Sequence, residues 1–266
     1  MTAVPRARKR FGQHFLEPAW VAKLLASLSP TASDVFLEIG PGRGALTIPL
    51  AARVGRVVAV EIDRDLAAAL QKKLPPTVSI QQADVLDVDF EELLQAETKP
   101  VRVVGNLPYN VASPILFKLL HAAAHGRLFS DATVMLQKEV ADRLSAAPGT
   151  SDYGSLAIQV GLLADVDRVL TLPPGAFRPP PKVTSAVVRM RFRPPREDVG
   201  DLDTFERLVR GIFLQRRKTL HNALKPVADT FSRSAADLIA AAGVDGTKRP
   251  QELTLSDIAR LSRAVL

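Results

Sequence analysis

Residues 106–109 read Asn-Leu-Pro-Tyr and close an apolar run that begins at Val101. An exocyclic amine on adenine is a poor nucleophile, because its lone pair is delocalised into the ring and no side-chain base can deprotonate it. Two fixed acceptors that take both N–H groups favour a pyramidal nitrogen and aim its lone pair at an electrophile such as a sulfonium methyl. The side-chain oxygen of Asn106 and the main-chain carbonyl of Leu107 suit that task. Pro108 fixes the backbone between them and Tyr109, whose ring offers a face for a flipped base. The same run would also serve as a strand-ending turn around a buried Tyr. Phe177 lies in a stretch, residues 173–182, that holds five prolines. It is a candidate for the opposite face of the base, or else a core residue beneath a stiff connection. Arg178 and Lys182 flank it as phosphate contacts.

A second chemical signal is Glu38-Ile39-Gly40-Pro41-Gly42-Arg43-Gly44-Ala45, between a strand-like and a helix-like stretch. Gly40, Gly42 and Ala45 satisfy the dinucleotide pattern G-x-G-x-x-G/A, and Glu61 follows 21 residues after Gly40, where an acid binds a ribose diol. A nicotinamide or flavin enzyme is therefore a rival reading. Glu38 counts against it, since a carboxylate at the mouth of the loop repels a pyrophosphate and welcomes an ammonium group. Gly44 completes E-x-G-x-G-x-G, the loop of S-adenosylmethionine-dependent methyltransferases. Asp84, after the third strand-like stretch, would reach an adenine amino group as Glu61 reaches ribose hydroxyls. Both acids also qualify as helix caps.

These residues need a scaffold. Short apolar stretches at 35–39, 57–62, 78–82, 101–105 and 133–136 alternate with amphipathic ones at 45–52, 66–74 and 114–121, after an initial helical pattern at 18–29. Such βαβα alternation predicts a parallel sheet with helices on both faces. Residues 156–163, 166–170 and 183–192 are read as the last strands. Beyond Pro194-Pro195 and the acidic stretch 197–203, helical patterns at 205–213, 220–227, 235–242 and 256–265 follow, divided by Gly243, Gly246 and Pro250. The expected organisation is an α/β sheet domain over 1–195 and a small all-α domain over 196–266.

Composition narrows the classes. The 266 residues are 47% apolar, enough for a core. The chain has no Cys and four scattered His, so no disulfide frame, zinc cluster or other metal site is expected. No apolar run approaches the roughly 20 residues of a membrane span, and the basic start leads into Gly12-Gln13-His14 instead of an apolar leader. A soluble, cytoplasmic chain is expected, and no coiled-coil heptads argue against a monomer. The net charge of +7 is segregated: residues 1–10 hold four bases and no acid, and the stretch from Arg168 to Arg196 holds seven bases and no acid. Phosphates reward such clusters, which makes nucleic acid the expected partner.

Several segments now support a family resemblance. Arg8-Lys9-Arg10-Phe11-Gly12-Gln13-His14-Phe15-Leu16, residues 38–44 and 106–110, 135–140, 179–183 and Gln215-Arg216-Arg217-Lys218-Thr219 occur in the order found in the small-subunit ribosomal RNA adenine N6,N6-dimethyltransferases. The chain resembles that family over nearly its whole length. The resemblance implies a Rossmann-like class I methyltransferase domain followed by a helical RNA-binding domain, and two methyls on each of two neighbouring adenines. It implies cofactor contacts from His14, Leu16, Gly40, Glu61, Asp84 and Asn106, beside Glu38 and Gly42 of the loop. It also implies the small-subunit RNA of an assembling subunit as partner, for which the segregated charge offers Arg8, Lys9, Arg10, Arg178, Lys182, Arg216, Arg217 and Lys218 as RNA contacts. The family usually has Asn where this chain has His14. The related macrolide-resistance enzymes of large-subunit RNA more often have Ile at the place of Leu107, so Leu107 and the basic 216–218 favour the small-subunit group. A non-catalytic assembly factor of the same fold is the remaining alternative, which the intact loop and Asn106–Tyr109 oppose.

Overall fold

Strands that are covered on both faces read as unbroken apolar runs, and the runs noted above behave in that way. The computed structural model describes residues 13–126 and 128–266. Its first elements are β1 (Phe15–Leu16), α1 (Pro18–Leu28), β2 (Val35–Ile39), α2 (Thr47–Ala51), β3 (Arg56–Glu61), α3 (Arg64–Gln71), β4 (Val78–Gln82) and α4 (Phe90–Leu93). There follow β5 (Val101–Asn106), α5 (Ala112–Gly126), β6 (Phe129–Gln137), α6 (Lys138–Leu144), α7 (Ser155–Leu163), β7 (Ala164–Leu172), β8 (Phe177–Arg178) and β9 (Ser185–Phe192). The last four helices are α8 (Leu202–Phe213), α9 (Leu220–Thr230), α10 (Ala235–Ala242) and α11 (Leu255–Val265).

Seven strands form one sheet in the order β4-β3-β2-β5-β6-β9-β7. The first five are parallel, and β9 runs antiparallel to β6. Chain order reverses between β2 and β5, because β3 and β4 build outward on one side and β5 and β6 on the other. Open sheets of this kind bind ligands at that switch point, beyond the carboxyl ends of the strands. The small pair β1 and β8 sets Leu16 opposite Phe177.

The chain divides into two units: Met1–Ala141 with Asp165–Arg193, and Asp142–Ala164 with Pro194–Leu266. The expected boundary after residue 195 falls two residues from the last crossing between the units, but residues 142–164 group with the C-terminal helices. Residues 156–163, expected as a strand, are α7. An apolar run of that length has no period that separates a buried helix from a strand. Seven of the nine residues of α7 are buried, on all sides of the helix, and it packs on α8 and α11. The Tyr153 hydroxyl donates to the Leu253 carbonyl at 2.9 Å, and the Gly149 amide to the Gln251 carbonyl at 2.8 Å. No described helix is long and apolar enough to cross a membrane.

Candidate active site

A cavity of about 350 Å³ opens at the carboxyl ends of β2, β3, β4 and β5, a size suited to a small-molecule ligand. Its wall holds all eight residues expected to bind cofactor: His14, Leu16, Glu38, Gly40, Gly42, Glu61, Asp84 and Asn106. They come from the β1 segment, from the end of β2 and its loop, and from the ends of β3, β4 and β5, so the sheet register fixes the mutual positions of the strand-end residues.

The glycine loop joins β2 to α2. Gly40 and Gly42 have φ of +70° and +58°, in the left-handed region where a side chain is strained. A Cβ on Gly42 would also lie 3.0 Å from the Phe15 ring. The Gly42 amide donates to Glu61 Oε2 at 2.9 Å, while Oε1 accepts from the Asp63 amide at 2.9 Å. Burial pushes the Glu61 carboxyl up and these two bonds pull it down. Each oxygen keeps a further lone pair for a hydroxyl. Asp84 Oδ1 accepts from the Leu86 amide at 2.9 Å, which fixes the side chain as an Asx turn beside the cavity.

Glu38 stands apart from these acids. It is 3% exposed, and Oε2 has no hydrogen-bond partner among the described residues. Burial pushes its pKa up to about 7; the Thr47 hydroxyl opposes the rise, and the charge of Glu61 adds to it. An unpartnered buried carboxylate oxygen at a cavity wall calls for a cationic or hydrogen-donating ligand.

At the end of β5, the Asn106 side-chain amide donates to the His14 carbonyl at 2.5 Å. That bond settles which end of the amide is which and leaves Oδ1 as the acceptor. Pro108 also lines the cavity, whereas Leu107 is buried, its amide donating to the Met135 carbonyl at 3.3 Å. Tyr109 is half-buried, with its hydroxyl hydrogen-bonded to the Ser185 hydroxyl of β9 at 2.6 Å. Burial raises the Tyr109 hydroxyl pKa, and that hydrogen bond opposes the shift. The His14 ring stacks on Tyr109 with centroids 5.6 Å apart and planes at 23°. Its Nδ1 donates to the Pro179 carbonyl at 2.7 Å.

Phe177 requires a correction. It is 0% exposed and packed in the core with Leu172, Ala176 and Val187, so it presents no face to a base in this structure. The alternative reading, a core residue under a stiff connection, describes it. The acid-free run 168–196 is also less basic in space than in sequence. Arg191 pairs with Asp167, Arg193 with Asp165 at 3.2 Å, and Arg178 with Glu17 at 3.4 Å. Lys182 is exposed, as are Arg216, Arg217 and Lys218 in the turn between α8 and α9. Arg8, Lys9 and Arg10 lie outside the described residues.

Sequence reasoning missed Ile62 and Val85, which give the cavity apolar walls directly after Glu61 and Asp84. Ile62 is 40% exposed, and an apolar residue just past a strand-ending acid was the available signal. No local signal marked Ser185 as the partner of Tyr109.

A seven-stranded sheet with one antiparallel strand inserted near its edge, a glycine loop after β2 and acids at the ends of β3 and β4 define a class I methyltransferase. Comparison with known proteins narrows the class. The family model for Ribosomal RNA adenine dimethylase matches residues 4–264, and the chain belongs to that family. It is 44% identical over 260 residues to Ribosomal RNA small subunit methyltransferase A of Alcanivorax borkumensis, covering 97% of this chain and 89% of that one. The protein of the same description from Chromobacterium violaceum is 45% identical over 258 residues, covering 96% and 94%. Among solved structures, a dimethyladenosine transferase from Plasmodium falciparum is similar with a TM-score of 0.73 at 28% identity, covering 93% of this chain and 96% of that one. The 23S rRNA methyltransferase ErmE is similar with a TM-score of 0.63 at 27% identity, covering 94% and 99%.

Proposed function

We propose that this chain transfers methyl groups from S-adenosylmethionine to N6 of two adjacent adenines near the 3′ end of small-subunit ribosomal RNA, giving dimethyladenines during ribosome assembly. The observation that carries the reading is the set of tied groups on one cavity wall: Asn106 held by His14, Glu61 held by Gly42, and an unpartnered Glu38. Relatives named for small-subunit RNA support the substrate.

The cavity fits the cofactor. Glu38 suits its ammonium group, Glu61 its ribose hydroxyls, Asp84 its adenine amine, and Ile62 and Val85 the faces of that base. When bound, S-adenosylmethionine supplies a methyl on a sulfonium, an electrophile that needs no metal. The rest is positioning. Asn106 Oδ1 and the Leu107 carbonyl accept the two N–H groups of the target amine and turn its lone pair toward the cavity. Pro108 holds these acceptors in register, and Tyr109, anchored to Ser185, is the stacking surface. A monomethylated amine has one N–H left, so one acceptor goes unpaired and the second transfer is the slower. In this reading Arg178, Lys182 and Arg216–Lys218 meet phosphates, with Arg8, Lys9 and Arg10 of the basic start. The helical unit serves RNA recognition, folded RNA being read largely by shape and backbone. The chain works as a monomer on assembling small subunits in the cytoplasm.

The test is mass mapping of methylated adenines after incubation of the full chain with labelled cofactor and immature small subunits. Two neighbouring dimethyladenines are expected. Label confined to large-subunit RNA, or cofactor binding without transfer, would overturn the reading.

A further inference from the structure

We infer that the His14 imidazole stands in for the target base: it covers the cavity side of Tyr109 until an arriving adenine displaces it. The inference rests on the dimethylation reading and concerns how that site admits its base. His14 lines the cavity, and its ring is stacked on Tyr109, which is not among the lining residues. The two rings stack at 5.6 Å between centroids. A base sandwiched between them needs about 7 Å, two carbon contact distances, so it cannot enter while His14 stays.

Which ring yields follows from the anchors. The Tyr109 hydroxyl is bonded to Ser185, a fully buried residue of β9, which holds that ring in place. Among the described residues the imidazole is held by one side-chain bond, Nδ1 to the Pro179 carbonyl. The His14 carbonyl, not its ring, accepts from Asn106. The side chain can therefore swing out while Asn106 stays oriented: the main chain of His14 positions the acceptor and the ring does the covering. An incoming base must exchange one stacked ring for another, which weakens apparent RNA affinity by about 2- to 10-fold, the worth of one aromatic pair.

Two measurements on the full chain test this. In the first, tetranitromethane nitrates tyrosine without RNA, read by peptide mass. The chain has two tyrosines, and Tyr153, 4% exposed and bonded to Leu253, is the internal reference. His14→Ala should raise Tyr109 nitration severalfold over Tyr153, and His14→Phe, which keeps a ring, should not. Equal nitration in wild type and His14→Ala overturns the inference whatever the enzyme modifies. In the second, KM and kcat are measured on immature small subunits at saturating cofactor. His14→Ala should lower KM about 2- to 10-fold and His14→Phe should leave it at or above the wild-type value; His14→Asn substitutes if the alanine variant is unstable. A KM that rises or stays put in His14→Ala shows that the imidazole supports the base or ignores it, and the inference falls. Absence of any methylation by the wild type sinks the dimethylation reading instead, and the nitration result still judges the covering of Tyr109.

Discussion

Two stretches of this chain carry dense positive charge, and folding treats them differently. Arg189 and Arg191 alternate along β9, and Arg193 continues the alternation just past its end. Arg191 and Arg193 meet Asp167 and Asp165 of the neighbouring strand, and Arg189 reaches the Thr133 hydroxyl and the Ser27 carbonyl. Arg216, Arg217 and Lys218 sit exposed in a turn, where Arg216 donates to a main-chain carbonyl, that of Ser151, at 3.2 Å. The cavity adds a third treatment, with the Asn106, Glu61 and Asp84 side chains held in orientation by main-chain groups. Charge density along a sequence does not say whether a base is spent on a cross-strand acid. Strand pairing decides that.

The sharpest break of this contrast is at the cavity. Asn106→Ala should lower turnover by about 10²-fold or more, the usual loss for one preorganised polar group. Near-normal turnover in that variant removes Asn106 from the mechanism. Glu38 is next. Its native pKa lies above the unfolded value, so the native state binds the proton more tightly, and stability falls as pH rises from about 4.5 to about 7. Above that window the cost is whole, up to about 3 kcal/mol. Glu38→Gln should therefore flatten stability across that window and exceed the wild type above pH 7 in thermal unfolding. Matching pH profiles for the two proteins would show that Glu38 is solvated.

The two basic stretches supply the smaller effects. Replacing Arg216, Arg217 and Lys218 by Ala should weaken RNA binding and reduce the slope of log affinity against log salt by roughly one unit per lost phosphate contact. Cofactor affinity should hold. Arg191→Ala should leave the salt slope unchanged and cost at most about 1 kcal/mol of stability, since it ends an exposed ion pair. Equal slopes for the two variants would erase the distinction between paired and unpaired bases.

The cavity was legible because its residues are punctuation. Glycines, acids and Asn106 end apolar runs, and a parallel sheet brings run ends to one edge. What escaped depends on partners far along the chain. Ser185 lies 76 residues from Tyr109, and the acids facing Arg191 and Arg193 lie 24 and 28 residues away. The core position of Phe177 was one of two readings its loop allowed. For residues 156–163 the run itself was ambiguous, and only the packing of α8 and α11 makes it a helix.

The dispersed origin of the helical unit has a consequence for synthesis. The Tyr153–Leu253 bond spans 100 residues, so α7 leaves the ribosome long before α11 exists. At about 5–20 residues per second, that is a delay of about 5–20 s. Through that interval the most apolar helix of the unit has no α11 to cover it, and α8 arrives only midway. The nascent chain thus carries a sticky segment whose shelter is translated last, and α7 is where a chaperone would grip it.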